Sequence, residues 1–240
     1  MEVLNLNNVW GDPEEYKGLT IYPVKMKDIL IFNNVVGCLM LEKNKIPDVN
    51  IIKMSYLSFL FLSAEIHSEL IIGLKMLLNL VLQEPTVECI SKNNEVILVL
   101  NGVEIDGQDF EKIKDIIFNQ NLIITDDMMF DEEIEKRLRE AEDFLASKQK
   151  PATLEERIFS YGAITHKLYQ EIKEMTIYQF NKELERLNLI KNFEVYTYMM
   201  LKCGQSDSIA HWLSHIEDKG KYDHLLMDRS EFNKVTEKIK

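Results

Sequence analysis

Between Pro85 and Asp109 the hydrophobic pattern of this chain changes period, and no other feature limits its fold as much. Val87-Glu88-Cys89-Ile90, a turn at Lys92-Asn93-Asn94, and Glu95-Val96-Ile97-Leu98-Val99-Leu100 have the composition of a β-hairpin. Asn101-Gly102 supplies a second tight turn, because both residues tolerate the left-handed backbone, and Val103-Glu104-Ile105 follows as a short strand. On either side the apolar residues recur at helical spacing. The chain is therefore expected to be α+β and predominantly α-helical, with a small antiparallel meander set between helical blocks.

Ahead of the meander, Leu19-Thr20-Ile21-Tyr22-Pro23-Val24 reads as a short strand that Pro23 places at an edge or an end. Helices are predicted over residues 25–43, 49–65 and 68–83, with breaks at Ile46-Pro47-Asp48 and Glu84-Pro85. The last two are apolar on most faces and are placed at the centre of the N-terminal core. Glu65, His67, Glu69 and Lys75 interrupt residues 54–82, which leaves no run of the ~20 apolar residues that a membrane helix needs.

Behind the meander, Asp109 is expected to cap a helix over residues 110–119, whose Ile113, Ile116 and Ile117 share a face. Residues 124–149 then alternate in charge. Glu132 to Lys136, Glu133 to Arg137 and Glu135 to Arg139 are favourable i,i+4 pairs, and Ile134, Leu138, Ala141 and Leu145 form a narrow apolar stripe. This stretch is a charged bridging helix, and the division follows: a helical domain with a β-meander over 1–122, a charged linker helix over 123–150, and a helical C-terminal domain over 151–240. In that last domain Thr153-Leu154-Glu155-Glu156 and Thr176-Ile177-Tyr178-Gln179 are capping-box patterns. They predict helices from about residue 153 and over 176–189, followed by others over 193–202 and 208–218, and a last one or a frayed tail over 230–240.

Charge narrows the function. With 40 acidic residues against 28 basic, the net charge is −12, and no basic run stands out. That balance argues against a nucleic-acid groove and against an anionic membrane surface. Cys38, Cys89 and Cys203 are scattered and odd in number, which suits buried thiols in a reducing cytoplasm better than disulfides or a zinc site. The N-terminus lacks the basic and apolar regions of a signal peptide. The expectation is a soluble cytoplasmic protein.

The candidate sites are few. His211 and His215 stand at i,i+4 and would share a helix face able to hold a metal, but Glu217 or His224 would have to complete the ligand set. Two histidines on the polar side of a helix whose Trp212 and Leu213 pack inward is the preferred account. Asp126, Asp127, Asp131 and Glu132 lack the alternation and central glycine of a calcium loop, and a solvated helix start explains them better. No nucleophile carries a family signature, and 9 glycines include no phosphate loop, so no catalytic residue, cofactor or metal is assigned and the chain is read as a non-enzyme. Methionine is more informative. Eleven are present, among them Met128-Met129-Phe130 and the Met199-Met200 pair beside Tyr196 and Tyr198. Flexible thioethers adapt to partner surfaces and exposed aromatics anchor them. Tyr178, Phe180, Tyr196, Tyr198, Met199 and Met200 are therefore the candidate protein-binding residues.

Several phrases spread over the chain carry a resemblance. They are Leu19-Thr20-Ile21-Tyr22-Pro23-Val24-Lys25-Met26-Lys27-Asp28, Met54-Ser55-Tyr56-Leu57 and Gly107-Gln108-Asp109-Phe110. Ile116-Ile117-Phe118-Asn119-Gln120-Asn121, Met175-Thr176-Ile177-Tyr178-Gln179-Phe180 and His211-Trp212-Leu213 complete the set. Together they resemble proteins of the tail-gene cluster in phages and prophages of low-GC Gram-positive bacteria, and among these the tail assembly chaperones. That resemblance implies a non-enzymatic, mainly helical binder of the tape-measure protein and tail tube subunits that leaves before the particle matures. It implies no catalytic residue and allows a homo-oligomer. A structural virion protein of the baseplate or neck is the alternative, followed by a metal-dependent enzyme using His211 and His215.

Overall fold

The computed structural model describes residues 6–43, 46–92, 95–123, 136–137, 140–141, 144, 151–203 and 211–215. The chain is α+β and predominantly helical, with one two-stranded and one three-stranded antiparallel sheet among the described residues. It divides into two compact units. Residues 1–123 and 166–188 make the first; residues 124–165 and 189–240 make the second.

The first unit opens with a single turn, α1 (Asn7–Trp10), and a hairpin of β1 (Glu14–Tyr16) and β2 (Leu19–Ile21). Its two-residue turn holds Lys17 and Gly18 at φ 51° and 78°, the left-handed pair that lets a hairpin follow the natural twist of its strands. Pairing stops at Ile21, and Tyr22-Pro23-Val24 continues as irregular backbone. Residues 26–39 then coil as a 3-10 turn (Met26–Asp28), α2 (Ile29–Val35) and a second 3-10 turn (Val36–Leu39), in place of the one helix expected over 25–43. The tightened last turn contains Gly37, a weak helix former.

The helix expected over 49–65 is two helices, α3 (Val49–Lys53) and α4 (Tyr56–Ala64). Met54 is extended, and Ser55 caps α4 by accepting the Ser58 N–H at 3.2 Å. A competing N-cap inside an apolar run divides it. Helix α5 (Glu69–Leu82) buries Leu74, Leu77, Leu78, Val81 and Leu82. Its other side carries exposed Ile72 and Met76, so α5 is amphipathic and not enclosed on most faces as its composition suggested.

The meander folds as expected. Strands β3 (Val87–Lys92), β4 (Glu95–Leu100) and β5 (Val103–Ile105) are antiparallel in the order β3-β4-β5. Leu98, Leu100 and Ile105 face the core. Helix α6 (Gly107–Asn121) starts three residues before the expected first residue, because Asp106 and not Asp109 is its cap. The Asp106 carboxylate accepts the N–H groups of Gln108 and Asp109, each at 2.9 Å, while the Asp109 carboxylate accepts the Asp106 N–H at 3.3 Å. That reciprocal pair is a capping box in which Asp109 has the third-turn-position role.

Residues 21–26 form the seam of this unit. Tyr22 N–H donates to the Val81 carbonyl at the end of α5, and the Gln120 side chain at the end of α6 donates to the Ile21 carbonyl. The Asn121 side chain accepts the Val24 N–H at 3.1 Å. The chain then returns over a long sequence distance. Met26 N–H donates to Met175 O at 2.8 Å and Ile177 N–H to Val24 O at 2.9 Å, around an antiparallel bridge between Lys25 and Thr176. Glu174 receives Lys25 at 2.7 Å and Lys27 at 3.2 Å. Ile172, Met175, Ile177 and Phe180 are buried in consequence.

Among the described residues, three helices follow residue 153. Thr153 and Glu156 make the expected capping box for α7 (Leu154–Thr165), and α8 (Tyr169–Glu174) follows. The Thr176 hydroxyl accepts the Gln179 N–H at 3.1 Å and the Gln179 side chain accepts the Thr176 N–H at 2.9 Å, the second expected box. From it α9 (Ile177–Cys203) runs unbroken. Two helices were expected here; Leu189 to Phe193 contains no Gly or Pro, so nothing in the backbone stops the first. In the charged stretch, residues 136, 137, 140, 141 and 144 are helical; the rest of it lies outside the described residues. No described helix is long and apolar enough to cross a membrane.

Candidate protein-binding surface

Helix α9 changes character along its length. Its first turns are anchored by Ile177 and Phe180 in the core of the first unit. From Leu189 to Lys202 no residue is buried. Val195, Tyr196, Tyr198, Met199 and Leu201 are between 53% and 82% exposed. At roughly 100° per residue, Val195, Tyr198 and Met199 fall on one stripe, on the side of the helix away from Phe193. The Phe193 side is occupied: its ring meets the His211 ring edge-on at 5.3 Å, and His211 lies 5.4 Å from the Trp212 ring. The opposite stripe presents two methyl-rich side chains and a tyrosine to solvent, with Lys202 4.7 Å above the Tyr198 ring.

Of the six residues proposed from sequence, Tyr196, Tyr198 and Met199 lie on this open part of α9. Met200 is half-exposed on the same helix, and Tyr178 is half-buried near its start. Phe180 is fully buried and offers no surface. Val195 and Leu201 belong to the exposed set without having been singled out. The signal was present in sequence: an apolar period with no complementary polar face over residues 193–201.

The histidine pair does not have the expected geometry. Residues 211–215 form a turn, so the shared helix face that i,i+4 spacing would give is absent there. His211 Nδ1 accepts the Leu213 N–H at 3.1 Å, which closes that turn. Trp212 and Leu213 are exposed, not packed inward. Among the described residues no group of three or more His, Cys, Asp or Glu side chains could hold a metal ion. Glu217, His224, the Asp126, Asp127, Asp131 and Glu132 cluster, and Met128-Met129-Phe130 lie outside the described residues.

One titratable cluster is built into the first unit. Tyr16 Oη donates to Asp109 Oδ1 at 2.9 Å, and Lys17 donates to Asp109 Oδ2 as an ion pair. Burial works to raise the Asp109 carboxyl, but the hydrogen bonds from Lys17, Tyr16 and the Asp106 N–H, with the Lys17 charge, hold it below its ordinary value. The same hydrogen bond raises the Lys17 ammonium. Both Asp109 carboxylate oxygens are engaged within the cluster, which ties the β1–β2 turn to the start of α6. Burial pushes the Cys38 thiol up to about 12, so it is an inert packing group.

The comparisons with known proteins bear on the second half of the chain. One of them, with protein families, points to a phage-related protein. More narrowly, residues 146–217, less than a third of the chain, match the family model described as the YomV second domain. The matched stretch contains α7, α8, α9 and the His211 turn, and with them the exposed part of α9. No curated protein and no solved structure matches the chain.

Proposed function

We propose that this protein is a non-enzymatic phage tail assembly chaperone, a transient binder of the tape-measure protein and tail tube subunits in the host cytoplasm. The observation that carries a binding role is the exposed apolar stripe of α9 at Val195, Tyr198 and Met199. Exposed apolar residues grouped on a helix that is anchored at one end suit insertion into the groove of a helical partner. The family match supports a phage setting. The net charge of −12 supports solubility while such a surface is open.

The deciding experiment is quantitative mass spectrometry of an induced lysate and of purified particles, with the protein tagged for capture. The expected result is absence from particles and capture of one long, coiled-coil-rich tail protein from the lysate. A fixed copy number in purified particles would replace the chaperone with a structural virion component of the baseplate or neck.

A further inference from the structure

We propose that two copies of this chain pair through β3, antiparallel and two-fold symmetric about Ile90, to make one continuous six-stranded sheet. Strand β3 is the outer strand of its sheet, bonded to β4 on one side, and no described strand lies on the other. It spans six residues, against three for β5 at the opposite edge, and Glu88 to Lys92 are all exposed. An edge strand of this length presents a row of outward N–H and C=O groups that another strand can satisfy.

The register follows from symmetry and charge. A two-fold axis normal to the sheet keeps the two core faces on the same side, and it requires one residue to lie opposite its own copy. Centred on Ile90, Glu88 stands opposite Lys92 of the second copy and Lys92 opposite its Glu88, so two ion pairs form at once. Centring on Glu88 or on Lys92 opposes like charges. Centring on Cys89 or Ser91 sets each charge against an uncharged residue. Ile90 lies on the face of the sheet opposite to that of Leu98 and Leu100, across from the buried Ile97 of β4. Ile90 is 37% exposed and would meet its own copy there. Lys92 also lies 3.2 Å from Glu104 of its own chain, with both side chains more than half exposed, and an ammonium with three donors can serve both carboxylates. The Coulomb terms and the row of backbone hydrogen bonds act locally, whereas the net repulsion between two acidic chains is screened by salt. Pairing is therefore expected to need physiological ionic strength.

The test uses the full chain in sedimentation velocity over a range of concentrations at about 0.15 M salt. A monomer–dimer equilibrium is expected. Glu88→Lys, which leaves Lys92 and Glu104 in place, should weaken it by about tenfold or more, since it sets lysine opposite lysine twice. The swapped double variant, Glu88→Lys with Lys92→Glu, should restore it. In a Cys89→Ser background, Ile90→Cys should form a symmetric disulfide on mild oxidation, because directly opposed residues stand about 4.5–5.5 Å apart at Cα. A chain that stays monomeric overturns the proposal, as does a dimer that Glu88→Lys leaves intact or that the double swap fails to restore. A dimer in which Ile90→Cys does not cross-link also overturns it, since the interface then lies elsewhere. All four substituted positions are exposed, and unchanged circular dichroism separates lost pairing from lost folding.

Discussion

Asp109 shows how one residue can be misassigned from sequence and still be structurally central. Its position before an apolar run makes it look like a helix cap, but Asp106 takes that role and Asp109 turns back to hold the Asp106 N–H, Tyr16 and Lys17. Asp109→Ala is expected to destabilise the first unit by roughly 1–3 kcal/mol, read from urea unfolding at neutral pH, because a hydrogen-bonded carboxylate is lost from under two donors. The sign of the pH dependence follows from the lowered carboxyl. A group whose folded value lies below its unfolded value contributes fully above the unfolded value and loses that contribution as pH falls through the folded one. The gap between wild type and variant should therefore close on acidification below the ordinary carboxylate range. For Lys17, whose folded value is raised, the contribution is present through neutral pH and is lost only as pH climbs above the ordinary lysine range.

Among the elements, α6 and α4 approach so closely that a Cβ on Gly107 would lie 2.4 Å from Cβ of Ser55. Gly107→Ala should cost roughly 1–3 kcal/mol, as overpacking does. Adding Ser55→Gly should recover part of that loss, since glycine is nearly as good an N-cap and the obstructing atoms are gone. A thermodynamic cycle of the two single variants and the double checks the coupling. At the start of α9, Thr176→Ala removes the hydroxyl that receives the Gln179 N–H, and about 1 kcal/mol of stability should go with it. The capping boxes at Thr153 and Thr176 were legible in sequence because a threonine stands three residues before a Glu or Gln in each. The break at Met54 was not, because an apolar run of that length does not show which serine will act as a cap.

At the scale of the whole molecule, the two compact units differ in what they contain. The core and seam belong to the first unit, and the open stripe belongs to the second. Replacing Val195, Tyr198, Met199 and Leu201 by serine should change stability by no more than about 0.5 kcal/mol each, because none of them is buried. The same variant should lose capture of the tail client. Amide hydrogen exchange offers a check on the same scale: residues 189–202 should exchange faster than α6 and β4 in the free protein and become protected when the client is added. Unchanged protection there would place the binding surface elsewhere.

Local physics is enough for the α+β class, the three-stranded meander, the capping boxes at Thr153 and Thr176 and the apolar stretch over residues 193–201. Each is written in residues within one or two turns of each other, where spacing and composition act directly on the backbone. Tertiary structure alone decided that residues 174–177 return to pair with 24–27, that Phe180 is buried while Tyr198 is not, and that β3 is the longer edge strand of its sheet. These outcomes depend on which of several apolar faces meet. Apolar attraction has no direction and does not choose among them, so the choice falls to the hydrogen bonds and shapes that the assembled core allows.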